Sequence, residues 1–199
     1  MSVLFCPLDI PRIEPADWNE WWHTWDKSMV MPKVIQNHNK KALDWLGLDL
    51  YVRPGYSTQY HAPLAEQNPT VKGICQQVID YMNYKVTRIR VIENLVPILP
   101  HSDNAFPFPN VRTFLWNNYP RPVWKFRRGE VERELVMPET TNSFYYLDGV
   151  ITHESIYDPT YSKGVLAIYG TADTGFKDMI RRSIIKYPEY GWEISGALI

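Results

Sequence analysis

Between residues 86 and 171 the sequence breaks into short segments rich in β-branched and aromatic residues. They read VTRIRVIENLVPIL, VRTFLWNNY, PVWKFRRGE, VERELVM, NSFYYLDG, THESIYD and KGVLAIYGT. Pro, Gly, Asn and Asp bound each of them, as they bound short strands. Seven or eight strands in so short a stretch point to a closed or double-sheet all-β unit such as a jelly roll.

Outside this stretch the period changes to that of helices. Trp18, Trp21, Trp22, Trp25 and Met29 recur at helical spacing after Pro15. Asn68-Pro69 reads as an N-cap followed by proline at the first helical position, with Val71, Ile74, Cys75, Val78, Tyr81 and Met82 as the apolar stripe behind it. Phe176, Met179, Ile180, Ile184 and Tyr187 make a third stripe. The expected architecture is α+β, a single domain over residues 1–199. It has helical N-terminal support over about 1–85, a double-stranded β-helix or cupin-like barrel core over about 86–171, and a C-terminal helix over about 172–190.

Charge and cysteine content remove several functions. The formal net charge is -1, so no broad field draws the chain to nucleic acid or to an acidic membrane. No apolar run approaches membrane-spanning length, and the N-terminus MSVLFCPLDIPRIEP lacks a basic region and a long apolar stretch. Two cysteines, Cys6 and Cys75, make no disulfide framework and no CxxC. A reduced, cytoplasmic protein is expected. There is no GxGxxG, no GxxxxGK[ST] and no GxSxG; HESIY lacks the second histidine of HExxH and reads as strand.

Of five histidines, two stand out. In LPHSDNAF an extended backbone turns His101 and Asp103 to the same face, with Ser102 opposite. Two histidines and one carboxylate make the facial triad of non-haem iron(II), which leaves the remaining positions open for substrate chemistry. His153 is the only histidine downstream of Asp103, and it falls on an expected strand. A surface His-x-Asp pair with an unrelated buried histidine is the alternative. Lys163, ten residues after His153, opens the apolar run KGVLAIYG, where a charge needs a partner or an exposed strand end.

Together, His-x-Asp, fifty residues, His, ten residues, Lys resembles the iron(II)- and 2-oxoglutarate-dependent dioxygenase superfamily, over roughly residues 86–171. LPHSD, RTFLW, FYYLDGVITHES and KGVLAIYG match it in order and spacing. The resemblance implies a double-stranded β-helix, Fe(II) on His101, Asp103 and His153, and Lys163 on the distal carboxylate of 2-oxoglutarate. It further implies that O2 and an unidentified substrate (an amino acid, a peptide side chain or a small metabolite) are consumed, with succinate and CO2 released. Lysine at this place is the variant of prolyl-4-hydroxylase-like members. RTFLWNN and FYYLDGVITHES resemble aspartyl/asparaginyl-hydroxylase-like and prolyl-hydroxylase-like members; Asp103 departs from the former, where glycine is common.

Arg112 stands where related enzymes contact the cosubstrate, though an outward-facing arginine fits equally. Thr113 has the opposite facing, so at most one of the two lines the pocket. Tyr146 and Tyr169 are further candidates for a carboxylate contact, or they simply pack. The loop NAFPFPN is expected at the rim, and Glu154 should face away from His153. His23, His38 and His61 are read as bystanders. The other reading of the barrel is a cupin-like metal or small-molecule binding protein without oxygenase activity. Cupins carry more histidines and a glutamate in Gly-rich motifs, which this sequence lacks, and a metal-only site needs no Lys163.

Overall fold

In the computed structural model, the described residues are 2–12, 45–56, 63–66, 68–94, 98–103, 110–116, 124–147, 149–155 and 163–194. In chain order they form β1 (Ser2–Pro7), β2 (Trp45–Val52), a 3-10 turn (Leu64–Glu66), α1 (Pro69–Tyr81), β3 (Val86–Asn94), β4 (Ile98–His101), β5 (Asn110–Trp116) and β6 (Trp124–Arg128). There follow β7 (Val131–Glu134), β8 (Ser143–Tyr146), β9 (Thr152–Ser155), β10 (Lys163–Thr171), α2 (Thr174–Lys186) and β11 (Trp192–Ile194).

Two antiparallel sheets result. The larger has the order β11-β1-β8-β5-β10-β3-β2, the smaller β4-β9-β6-β7. Every one of the expected segments between 86 and 171 supplies a strand, VTRIRVIENLVPIL supplying both β3 and β4. Of these eight strands, β3, β5, β8 and β10 lie in the large sheet, and β4, β6, β7 and β9 in the small one. At the β6–β7 turn Arg128 pairs with Val131, and Gly129 takes φ +59°, a left-handed conformation that costs other residues more.

Strand alternation divides the large sheet into two apolar faces. Val165 and Ala167 pack with Phe114, Phe126, Phe144, Tyr146 and Ile151 between the sheets. Leu166 and Ile168 turn to the other side with Ile89 and Val91, where the two helices cover them. There α1 supplies Val71, Ile74, Cys75 and Val78, and α2 supplies Phe176, Met179 and Ile180. Burying each such large side chain contributes roughly 1.5–3 kcal/mol. The α1 N-cap is as expected: the Asn68 side chain accepts from the Thr70 and Val71 amides at 3.0 and 3.2 Å, and Pro69 follows. Tyr81, counted in the α1 stripe, is instead 49% exposed at the helix's last turn, while Met82 is buried.

The stretch 1–85 is not only helical support. β1 and β2 lie within it and extend the large sheet, β1 between β11 and β8, β2 beside β3. Residues Val3 to Leu8 are all buried, so β1 shows a continuous apolar run rather than alternation. A register shift between Val3 and Phe5 sends both Leu4 and Phe5 into the inter-sheet face. After α2, β11 returns to pair with β1. The tryptophan stripe at 18–29 lies outside the described residues. Among the described residues no helix is long and apolar enough to cross a membrane.

Candidate metal centre

β4 and β9 are neighbours in the small sheet, and their register sets His101 directly opposite His153. Directly opposed residues on antiparallel strands share a face. The pairing shifts between Ile98 and His101, where Pro100 has no N–H to donate to the ladder. Asp103 follows two residues later, just past the strand end, on the same side as His101. The three ligand atoms lie within 4.8 Å of one another. His101 Nε2 is 3.7 Å from Asp103 Oδ1, and His153 Nε2 is 3.6 Å from Asp103 Oδ2. Bonds of ~2.0–2.2 Å to one ion place neighbouring ligand atoms roughly 3–4 Å apart, which both carboxylate–imidazole spacings match, and a small side-chain adjustment would draw the whole set onto a single metal.

Protonation also suits a metal. His101 Nδ1 lies 2.8 Å from the Leu99 carbonyl oxygen. A carbonyl only accepts, so Nδ1 carries a hydrogen and Nε2 is the nitrogen turned toward Asp103 and His153. Burial pushes the pKa of His153 down to about 4, with His101 and Arg112 adding to it against Asp103 and the Ile151 carbonyl. His153 is therefore a neutral imidazole near pH 7. Its Nδ1 is buried with no hydrogen bond of ordinary geometry, although the Ile151 backbone favours its protonated form. Burial raises the Asp103 carboxyl, but the Arg112 guanidinium, helped by both histidines, outweighs this and holds it down at about 2. Asp103 is a carboxylate.

Arg112 and Tyr146 both end on that carboxylate. Arg112 Nη2 is hydrogen-bonded and ion-paired to Asp103 Oδ2, and also donates to the Tyr146 hydroxyl at 2.9 Å. The Tyr146 hydroxyl donates to Asp103 Oδ2 at 3.0 Å and lies 3.3 Å from His153 Nε2. Its single hydrogen serves one acceptor at a time, so with Asp103 served, the His153 contact is one that a metal can displace. Arg112 is only 7% exposed, and its guanidinium lies over the Phe114 ring at 4.8 Å and the Tyr146 ring at 5.4 Å.

The expectations for the neighbouring residues separate cleanly. Of the pair expected to split, Arg112 faces the site; Thr113 is buried on the opposite face, its hydroxyl 2.6 Å from that of Tyr84. Tyr169 is cross-strand partner to Arg112 and to Arg88, whose guanidinium carbons lie 6.0 and 5.8 Å from its ring centre. Glu154 pairs across to Lys125 and acts on Arg127, on the face away from His153. Lys163 is the first residue of β10, opposite Asn94 of β3 and six residues before Tyr169. Its side chain, the NAFPF stretch of the rim, and His23, His38 and His61 lie outside the described residues.

Sequence reasoning missed the parts of the site that depend on tertiary contact. No local signal marks the Leu99 carbonyl as the partner that orients His101. Nor does one reveal that Arg112 and Tyr146 would meet Asp103. Asp49, 8% exposed on β2, bonds Arg90 of β3 at 2.8 Å and reaches Arg88 at 4.0 Å.

No protein-family model matches the sequence, and no curated protein matches it. Solved structures do show likeness. An oxidoreductase of the 2OG-Fe(II) oxygenase family from Burkholderia pseudomallei is 12% identical, with 67% of this chain and 71% of that one covered at a TM-score of 0.43. A Pseudomonas putida prolyl-4-hydroxylase is 13% identical, with 64% and 71% covered at 0.36. SnoK, a non-heme alpha-ketoglutarate-dependent carbocyclase from nogalamycin biosynthesis, is 10% identical, with 98% and 90% covered at 0.45. These similar structures are 2OG-Fe(II) oxygenases, the class whose motif pattern the sequence resembles. At TM-scores below 0.5 they bear on neither activity nor substrate.

Proposed function

We propose that this protein is an Fe(II)- and 2-oxoglutarate-dependent oxygenase, most simply a hydroxylase, built on a double-stranded β-helix. One observation carries the reading. His101 at the end of β4, Asp103 just past it and His153 on β9 come to within 4.8 Å of one another, with Asp103 a carboxylate and His153 a neutral imidazole, as a divalent metal needs. The strand order supports the β-helix, since the eight strands from β3 to β10 divide four and four between the sheets.

Iron(II) bound there with 2-oxoglutarate supplies the oxidation: O2 is consumed, the cosubstrate splits to succinate and CO2, and one oxygen atom enters the substrate. The chain's own residues do the rest. Asp103 would provide the negative ligand, and the imidazoles of His101 and His153 would complete one face. Arg112 and Tyr146, proposed from sequence as cosubstrate contacts, grip Asp103 Oδ2 and so fix which way the carboxylate turns. Both remain beside the cosubstrate's place in this reading. Lys163 takes the distal carboxylate from the far end of β10. Aromatic rings between the sheets keep the site dry, with Phe126 and Trp124 against His153. The substrate is an amino acid, a peptide side chain or a small metabolite, in keeping with a net charge of -1. Cys6 and Cys75, both buried and not disulfide-bonded, are in keeping with a reducing cytoplasm.

Anaerobic addition of Fe(II) and then 2-oxoglutarate should produce a metal-to-ligand absorption band at one equivalent of each. Admitting O2 should release CO2 from the C1 carboxyl of labelled 2-oxoglutarate, even without substrate. A protein that binds iron but gives neither band nor CO2 is the cupin-like alternative instead.

A further inference from the structure

Trp124, the first residue of β6, is 5% exposed, and its indole Nε1–H is buried without a hydrogen-bond acceptor. Folded proteins leave few buried donors unsatisfied, because each forfeits its solvation without replacement. An indole nitrogen has no other role to fall back on, since it donates and never accepts. The ring lies on the inter-sheet side, 5.7 Å from the His153 ring and 6.2 Å from that of Phe144. This orphan therefore lies beside the metal centre rather than at a distant packing defect.

Register gives its place more closely. Phe126 stands opposite His153, and Trp124 stands opposite Ser155. Trp124 is thus one inward-facing step farther along the strand pair, in the direction in which the chain leaves His153 to reach Lys163. Two residues of strand span ~6.7 Å. That is about the separation of the two carboxylates of an extended five-carbon dicarboxylate. We propose that the Trp124 indole N–H is a second donor to the distal carboxylate of 2-oxoglutarate, sharing it with Lys163. The inference rests on the oxygenase reading above and adds to it a residue that no sequence pattern marked.

An unsatisfied N–H is kept because a ligand oxygen satisfies it, and a charged acceptor makes the stronger bond. An ordered water on the same nitrogen is the competing account, and it makes different predictions.

Trp124→Phe keeps a ring against His153 and removes only the donor, so it is the discriminating variant. In anaerobic titrations it should bind Fe(II) as the wild type does and 2-oxoglutarate about tenfold more weakly. Without ligand it should melt no lower than the wild type, while 2-oxoglutarate should raise its melting temperature less. In the zinc-substituted wild type, saturating 2-oxoglutarate should move one indole N–H proton resonance, the one absent from Trp124→Phe. Equal 2-oxoglutarate affinity in wild type and variant, or an unmoved resonance, overturns the role of Trp124 and leaves the oxygenase reading standing. A wild type that takes up iron yet binds no 2-oxoglutarate overturns both. A variant whose iron affinity also falls shows that Trp124 acts by packing on His153, which overturns the donor role as well.

Discussion

His101 and His153 are direct cross-strand partners, and their imidazole centres stand 4.4 Å apart with ring planes at 53°. Two strands of one sheet thus fix both candidate nitrogen ligands. His101 is the partly exposed member, with 39% of its side chain accessible. His101→Ala should therefore leave the fold intact while weakening Fe(II) binding by more than ~100-fold. That is beyond the ~10–100-fold lost when only an outer partner of a ligand is removed. Anaerobic Fe(II) titration with far-ultraviolet circular dichroism as a fold control measures both; undiminished affinity would sink the centre.

Tyr146→Phe tests the outer partner itself. It deletes the hydroxyl that donates to Asp103 Oδ2 and keeps the ring, which stacks on Phe114 with centres 4.8 Å apart. Iron affinity should fall about tenfold, within the range that outer partners command. An affinity unchanged within twofold would mean that Arg112 alone orients Asp103.

Asp103 affects stability as well as metal. From sequence, a residue just past a strand end contributes little to packing, but here its carboxylate is the partner of the buried Arg112. Removing one member of a buried pair costs roughly 3–5 kcal/mol. With a quarter of the Asp103 side chain accessible, about 1–3 kcal/mol is the expected loss for Asp103→Ala. The double variant Asp103→Ala/Arg112→Met should recover part of that stability and none of the iron binding. Denaturant unfolding of the metal-free proteins gives the coupling energy. A single variant as stable as wild type would show the pair to be worth nothing.

The end of β1 meets α2 through Asp9, whose carboxylate lies 2.7 Å from Lys186 Nζ and 3.2 Å from Arg182 Nε. The hydrogen bond from Lys186 lowers its pKa against the opposing effect of burial, and Arg182 adds to the lowering. A depressed carboxyl binds fewer protons folded than unfolded, so its contribution is present above the ordinary value near 3.8 and is lost as pH falls below it. Asp9→Asn should be less sensitive to acid in that window than wild type, and the difference should shrink in high salt. Acid unfolding curves that run parallel below pH 4 would remove Asp9 from the account.

What was legible in the sequence follows from which signals are local. The strands from β3 to β10 each carry β-branched or aromatic residues closed by turn residues; strand alternation sets His101 and Asp103 on one face, while His153 stands out as the only histidine downstream of them and through the family resemblance. β1 was not legible because Val3 to Leu8 are buried on both faces, which erases the period of two. In β2 the buried Asp49 interrupts the apolar pattern, and its partner Arg90 lies forty-one positions away. The outer contacts of the site fail for the same reason. Arg112 of β5 meets Asp103 across the two sheets, and the buried Trp124 N–H is a property of the fold that no local pattern carries.

Lys163 separates an oxygenase from a bare metal site. It opens β10 opposite Asn94, six residues before Tyr169, which pairs with Arg112 beside the metal centre. Along a strand that is ~20 Å, so Lys163 begins β10 at the end opposite to Tyr169 and Arg112. A dicarboxylate reaching inward from the metal brings its second charge toward that end. The two opposite charges would then pair in a poorly solvated space, where charge-assisted bonds are strong. Truncating one partner of such a pair costs on the order of 2–5 kcal/mol, roughly a thirtyfold to several-thousandfold loss of affinity. Lys163→Ala should accordingly weaken 2-oxoglutarate binding at least tenfold and leave Fe(II) affinity nearly unchanged. Lys163→Arg should keep part of the affinity, limited by a longer, planar head group. Anaerobic titration of 2-oxoglutarate into each Fe(II) protein, followed by the metal-to-ligand absorption band, measures all three. If the alanine variant binds 2-oxoglutarate as tightly as the wild type, Lys163 merely ends a strand, and the site is left with a metal and no reason for a cosubstrate.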